Sequence, residues 1–141
     1  MVSCRSLSYP LRMESPVEHT PYCRLYNATD VSKGAVQRAL DNEIASHVQR
    51  SPIYAAVFKN HGYVESRGSP YDPIESSRWT AEIDSEASGH ADFEAFEMAT
   101  VNVVRGLRAK GFVVTASCIF AVRIARETGW NWSEDTPLPP D

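Results

Sequence analysis

At 141 residues and 15.7 kDa the chain has the size of one domain, long enough to bury a core without disulfides or metals. Its 43% hydrophobic and 23% charged residues are ordinary for a globular domain, and no run nears the roughly 20 apolar residues of a membrane span. A net charge of −4, with the basic residues scattered, argues against direct nucleic-acid binding.

The opening stretch MVSCRSLSYPLRMESP holds no long apolar run and does not read as a secretory signal. Residues 1–28 carry Pro10, Pro16 and Pro21 among serines and isolated tyrosines, so they are expected to form an extended arm rather than a core element. Their apolar residues, Tyr22, Leu25 and Tyr26 among them, are too many for a solvated linker, which predicts an arm that pairs with something. A first helix follows in TDVSKGAVQRALDNEIASHVQRSP, with Asp30 as the expected N-cap and Val36, Leu40, Ile44 and Val48 as an apolar stripe ended by Pro52. IYAAVF, residues 53–58, reads as a buried strand. The stretch from Asn60 to Ser77, punctuated by Gly62, Gly68, Pro70 and Pro73, is a long connection of the kind that is functional or disordered.

RWTAEID, residues 78–84, alternates, with Trp79, Ala81 and Ile83 on one face. In SGHADFEAFEMATVNVVRGLRAKG the residues Phe93, Phe96, Thr100, Val103 and Leu107 keep helical spacing. Acidic residues lie at the start of this helix, Arg105, Arg108 and Lys110 at its end, and Gly111 is the expected left-handed stop. Residues 112–115 read as strand. Residues 117–126 are also favoured as strand, although the same letters permit a short helix. The expected fold is α+β: a small, mostly antiparallel sheet with two helices packed on one face. The domain divides into an arm at 1–28, a body at 29–127 and a Trp/Pro-rich tail at 128–141.

No catalytic signature stands out. Cys4, Cys23 and Cys118 have no paired spacing and read as reduced thiols in a cytoplasmic chain. His19 and Cys23 lack the ligand spacing of a zinc site, so no metal and no cofactor is expected. His61 and His90 with Cys118 are the residues a thiol–imidazole enzyme would use, but Cys118 lies in an apolar segment suited to an inert thiol. What remains is contact surface: Tyr22, Tyr26, Tyr63, Tyr71, Trp130 and Trp132 lie on proline-bearing segments, and aromatic residues concentrate at interfaces. Trp130 and Trp132 point the same way if the tail is extended, capping their own sheet or docking on a neighbouring subunit.

From the helix at 30 to the Trp-, Asp- and Pro-rich end near 136, this order of elements resembles the tail terminator and related head–tail joining proteins of long-tailed bacteriophages. The shared pattern is a helix, an apolar strand, a glycine-containing loop, a strand like RWTAEID, a helix like FEAFEMATVNVVRGLRAKG and a closing strand. The resemblance implies a non-enzymatic, ring-forming subunit of the virion or host cytoplasm, a homo-oligomer acting through contacts with other protein subunits. The residues alone leave two further readings open: a ligand-binding or regulatory module with the 60–77 loop as a lid, and a small enzyme using His61, His90 or Cys118.

Overall fold

Seven residues expected to end the arm, Tyr22–Ala28, instead form strand β1 and lie in the interior of the sheet. The structure is a computed structural model and describes residues 21–47, 51–65, 72–86 and 88–140, so the expectations for Cys4, His19, Val48 and Tyr71 lie outside the described residues. After β1 come α1 (Lys33–Ala45), β2 (Ile53–Lys59), β3 (Trp79–Ser85), α2 (His90–Ala109), β4 (Val113–Ser117) and α3 (Ala121–Thr128). The four strands form one antiparallel sheet in the order β2-β3-β1-β4. Because β1 is antiparallel to both of its neighbours, β3 and β4 run parallel with β1 between them, the split βαβ arrangement of a βαββαβ chain. The small α+β fold expected from sequence is the one observed.

β1 is a strand because YCRLYNA alternates: Cys23, Leu25 and Asn27 point into the core and are fully buried, while Tyr22, Arg24 and Tyr26 point the other way. Seven residues next to a proline-punctuated stretch carry too short a period to stand out. The register places Leu25 between Ala81 of β3 and Ala116 of β4, and Ala55 opposite Ile83. These side chains meet Val36 and Leu40 of α1 and Phe96, Val103, Val104 and Leu107 of α2 in a single core, so both long helices cover the same sheet face.

α1 begins at Ser32, not Asp30: the Ser32 hydroxyl accepts the Ala35 amide at 3.2 Å, the usual reach of a cap to the third helical residue. α2 ends as expected, with Gly111 at φ 95°. The strand expected over 117–126 is a correction. Alternation would bury Val122 with Phe120 and Ile124, yet Val122 is 76% exposed while Phe120 and Ile124, four apart, are buried. Helical spacing therefore governs, and Gly129 at φ 93° closes α3.

Between β2 and β3 the long connection is closed at its neck by a buried residue, Asn60. Its amide donates to the Ile74 and Ser77 carbonyls at 2.7 Å each, and the Val64 amide donates to the Glu75 carbonyl at 2.8 Å.

If β1 is core, Leu25→Ala should lower the unfolding free energy by about 2–5 kcal/mol, the usual range for a buried leucine. Denaturant unfolding followed by circular dichroism measures this; a change within a few tenths would return these residues to the status of an arm.

Candidate functional site

With the helices on one face, the opposite face of the sheet carries the even-numbered side chains of β1, β2 and β3, joined by those of β4. The registers arrange them in rows across the strands. One row reads Phe58, Thr80, Tyr26, Thr115; the next reads Ala56, Glu82, Arg24, Ser117; a third brings Tyr54 and Asp84 to Tyr22. An ion pair, Arg24 to Glu82 at 3.2 Å, thus lies in the middle of the face with aromatic rows on either side. The Tyr26 and Tyr22 hydroxyls beside Arg24 hold its guanidinium still more firmly in the charged form. Tyr54 is 49% exposed and Phe58 46%, so this is an apolar surface open to solvent rather than a second core.

Toward β4 the face deepens into a cleft of about 420 Å³, walled by Tyr26, Thr115, Ser117, Ile74, Asp72 and Trp132. Ile74 is placed by the Asn60 neck and by the Asp72 carboxylate, which accepts the Ile74 and Glu75 amides at 3.0 Å each. Of the six aromatic residues singled out from sequence, Tyr26 and Trp132 therefore share one cleft. Tyr22 lies on the same sheet face and also borders a smaller groove of about 200 Å³ with His90, Phe93, Phe96, Ile119 and Phe120. Tyr63 is engaged within the loop, where Arg78 lies 5.1 Å from its ring centre and donates to its hydroxyl.

The two Trp residues of the tail do not act together. Trp130 is buried, the first of the two placements expected for it: the tail turns back at Gly129 and docks Trp130 on its own subunit. Arg108 of α2 makes this dock. Its guanidinium donates to the Trp130 carbonyl at 2.7 Å, to the Thr128 hydroxyl at 2.8 Å and to the Val114 carbonyl of β4, and it faces the Trp130 ring at 5.1 Å. The Trp130 indole in turn donates to the Thr136 carbonyl. Burial draws the Arg108 pKa down to about 10, which leaves it a cation at neutral pH. Arg105 donates to the Glu127 carbonyl and Lys110 pairs with Glu43, so the basic cluster at the end of α2 is occupied by intramolecular partners.

Side-chain amides close both edges of the sheet. On β2, Gln37 of α1 donates to the Ala55 carbonyl at 3.2 Å and accepts the Val57 amide at 3.1 Å, as a neighbouring parallel strand would. On β4, Asn131 accepts the Ala116 amide at 2.8 Å and donates to the Ala116 carbonyl at 2.9 Å, in the manner of an antiparallel pair. Each edge thus has one position occupied by a side-chain amide, which hinders strand addition there.

The residues of the enzymatic reading are dispersed. His61 follows the end of β2 nearest Trp79, whereas His90 follows the opposite end of β3, a strand length or about 20 Å away. Cys118 lies at the His90 end, but its sulfur faces Cys23 at 3.0 Å. Among the described residues no cluster of three or more His, Cys, Asp or Glu side chains could hold a metal ion, and no helix is long and apolar enough to cross a membrane. On the helix side, Arg123 of α3 gathers Glu94, Glu97 and Glu127 at 2.8, 3.1 and 2.6 Å. Its guanidinium holds the Glu94 carboxyl below the ordinary carboxylate range.

No protein-family model, no curated protein and no solved structure matches this chain.

Asn131→Leu should leave the Ala116 amide and carbonyl without partners, costing about 1–3 kcal/mol, and it should expose the β4 edge. Unfolding curves and aggregation rates check both effects. Glu94 has a lowered folded-state pKa, so its pairing with Arg123 contributes above the ordinary carboxylate pKa and is lost as pH falls through the lowered value. Thermal melts across that acid range should therefore show declining stability, with a shallower decline in Glu94→Gln.

Proposed function

We propose that the protein is a non-enzymatic contact module whose open sheet face packs against the same face of a second copy. The observation that carries this reading is on the face itself: Tyr54 and Phe58 stay about half exposed around an ion pair, while each edge has one position occupied by a side-chain amide. An acid and a base side by side at the centre of a patch are self-complementary across a two-fold axis, because Arg24 of one copy can meet Glu82 of the other. The half-exposed aromatic side chains and Ile74 offer on the order of 400 Å² per copy, about half of what one partner buries in a standard interface. The flanking polar rows and the rims of the cleft supply the rest. Glu82 and Asp84 on this face, with the net charge of −4, weigh against a polyanionic partner.

Head–tail joining of the tail-terminator type is the narrowest form of this reading. A ring needs two different patches on each subunit, and a second apolar one is available: Ile119 is 71% exposed beside the 76% exposed Val122. The resemblance starts at the helix α1, so β1 has no counterpart in it. The cleft between Tyr26 and Trp132 favours a second reading, a small-ligand module with the Asp72–Glu75 stretch as its wall.

Light scattering with size-exclusion chromatography tests the proposal. A dimer that Phe58→Glu weakens about tenfold or more, without loss of folding, is the expected result. A closed ring that survives Phe58→Glu but not Val122→Glu would move the contact to α3. A monomer at high concentration would end the self-association reading, and a ligand-induced shift in melting temperature that Trp132→Ala abolishes would favour the cleft.

A further inference from the structure

The pairing of Cys23 with Cys118 belongs neither to the open face nor to the tail dock. Arg24 is the register partner of Ser117, so Cys23 and Cys118 occupy the next opposed positions at the same end of β1 and β4. Opposed residues of neighbouring antiparallel strands have Cα atoms about 4.5–5.5 Å apart, inside the range that a disulfide spans. The two sulfurs lie 3.0 Å from one another. One of them, Cys23, is fully buried, and the other, Cys118, is only half-buried. A metal site would need further ligands, which are absent among the described residues.

We propose that Cys23 and Cys118 form a peroxide-responsive dithiol site, in which Cys118 is the attacking thiol and Cys23 the resolving one. Accessibility gives Cys118 the first role. The thiol of Cys23 donates toward the Cys118 sulfur, and this hydrogen bond lowers the pKa of Cys118 while it raises that of buried Cys23.

The chemistry balances with a hydroperoxide as the oxidant. The Cys118 thiolate attacks one peroxide oxygen, the O–O bond breaks as the S–O bond forms, and the departing hydroxide takes a proton to become water. Cys118 is now a sulfenic acid. The Cys23 sulfur attacks it, the S–S bond forms as the S–O bond breaks, and the second hydroxide leaves as water with the proton from Cys23. Two thiols and one hydrogen peroxide thus give one disulfide and two waters. The product bond would join residues 95 positions apart and staple β1 to the turn that leads into α3.

The test uses the full chain carrying Cys4→Ser, so that Cys23 and Cys118 are the only cysteines. After hydrogen peroxide, intact-mass measurement should show the loss of two hydrogens, and peptide mapping should link Cys23 to Cys118. Closing so long a loop should raise the melting temperature by on the order of 10 °C, reversed by dithiothreitol. Adding Cys118→Ser should abolish both the mass change and the shift, whereas Cys23→Ser should leave a dimedone-reactive sulfenic acid at Cys118. Oxygen added at Cys118 without a link to Cys23 would overturn the proposal. So would a disulfide between two chains, or thiols that stay reduced while free cysteine in the same tube is consumed.

Discussion

Among the described residues every strand contact passes through β1 or through its neighbour β3. Of the described strands, β1 alone touches both the β2–β3 hairpin and β4, and its inward side chains Cys23 and Leu25 are buried in the core that both long helices share. Its partners lie far away along the chain: Asn27 pairs with Trp79 and Arg24 with Ser117. The loop-closure entropy of those pairings must be overcome before any sheet hydrogen bond offsets it, so α1 and α2 have to supply apolar cover at the same time. The sheet is thus a cooperative object. Removing its first strand would leave a hairpin and a detached edge.

Once that sheet exists, its polar periphery decides what can reach it. The amide of Gln37 on one edge and that of Asn131 on the other each fill the place of a missing strand. The second of these depends on Arg108. By gripping the Trp130 carbonyl and the Val114 carbonyl together, the guanidinium fixes the tail beside β4 and so presents Asn131 to Ala116. A cation held mostly by carbonyls and a ring is costly to desolvate, and it is sustained here by the number of its hydrogen bonds. Trp132, two residues beyond Trp130, is thereby carried onto the open face as a wall of the cleft.

The parts legible in the sequence are those whose signal is local. α1, β3 and α2 each carry an apolar period long enough to be read without knowing what they touch, whereas IYAAVF, expected as a buried strand, is the edge strand β2 with only Val57 buried, because apolar letters do not tell an edge from a centre. β1 was hidden because its alternation spans only seven residues beside three prolines, and prolines upstream say nothing about the strand that follows them. α3 looks like a strand in sequence because Cys118, Phe120, Val122 and Ile124 alternate in letters, whereas burial selects only Phe120 and Ile124. For the site, aromatic composition singles out Tyr26 and Trp132, which the fold brings to one cleft, and Trp130, which has the same composition and a different placement, set by Arg108 from twenty-two residues away. Gln37, Asn131 and the Cys23–Cys118 pair could not be found that way, since each acquires its meaning from strand register.

The buckle at Asn60 separates the geometry of the sheet from whatever lies beyond it. With Val64 tied to Glu75 and the Asn60 amide spanning Ile74 and Ser77, the β2–β3 hairpin is complete before the intervening residues enter the account. Additional length there costs only about 0.6 kcal/mol for each doubling, so evolution or an engineer can graft segments of varied size between residues 65 and 72. Such an appendage would emerge beside the Tyr26–Trp132 cleft, which makes this position a natural place to diversify recognition while the scaffold stays unchanged.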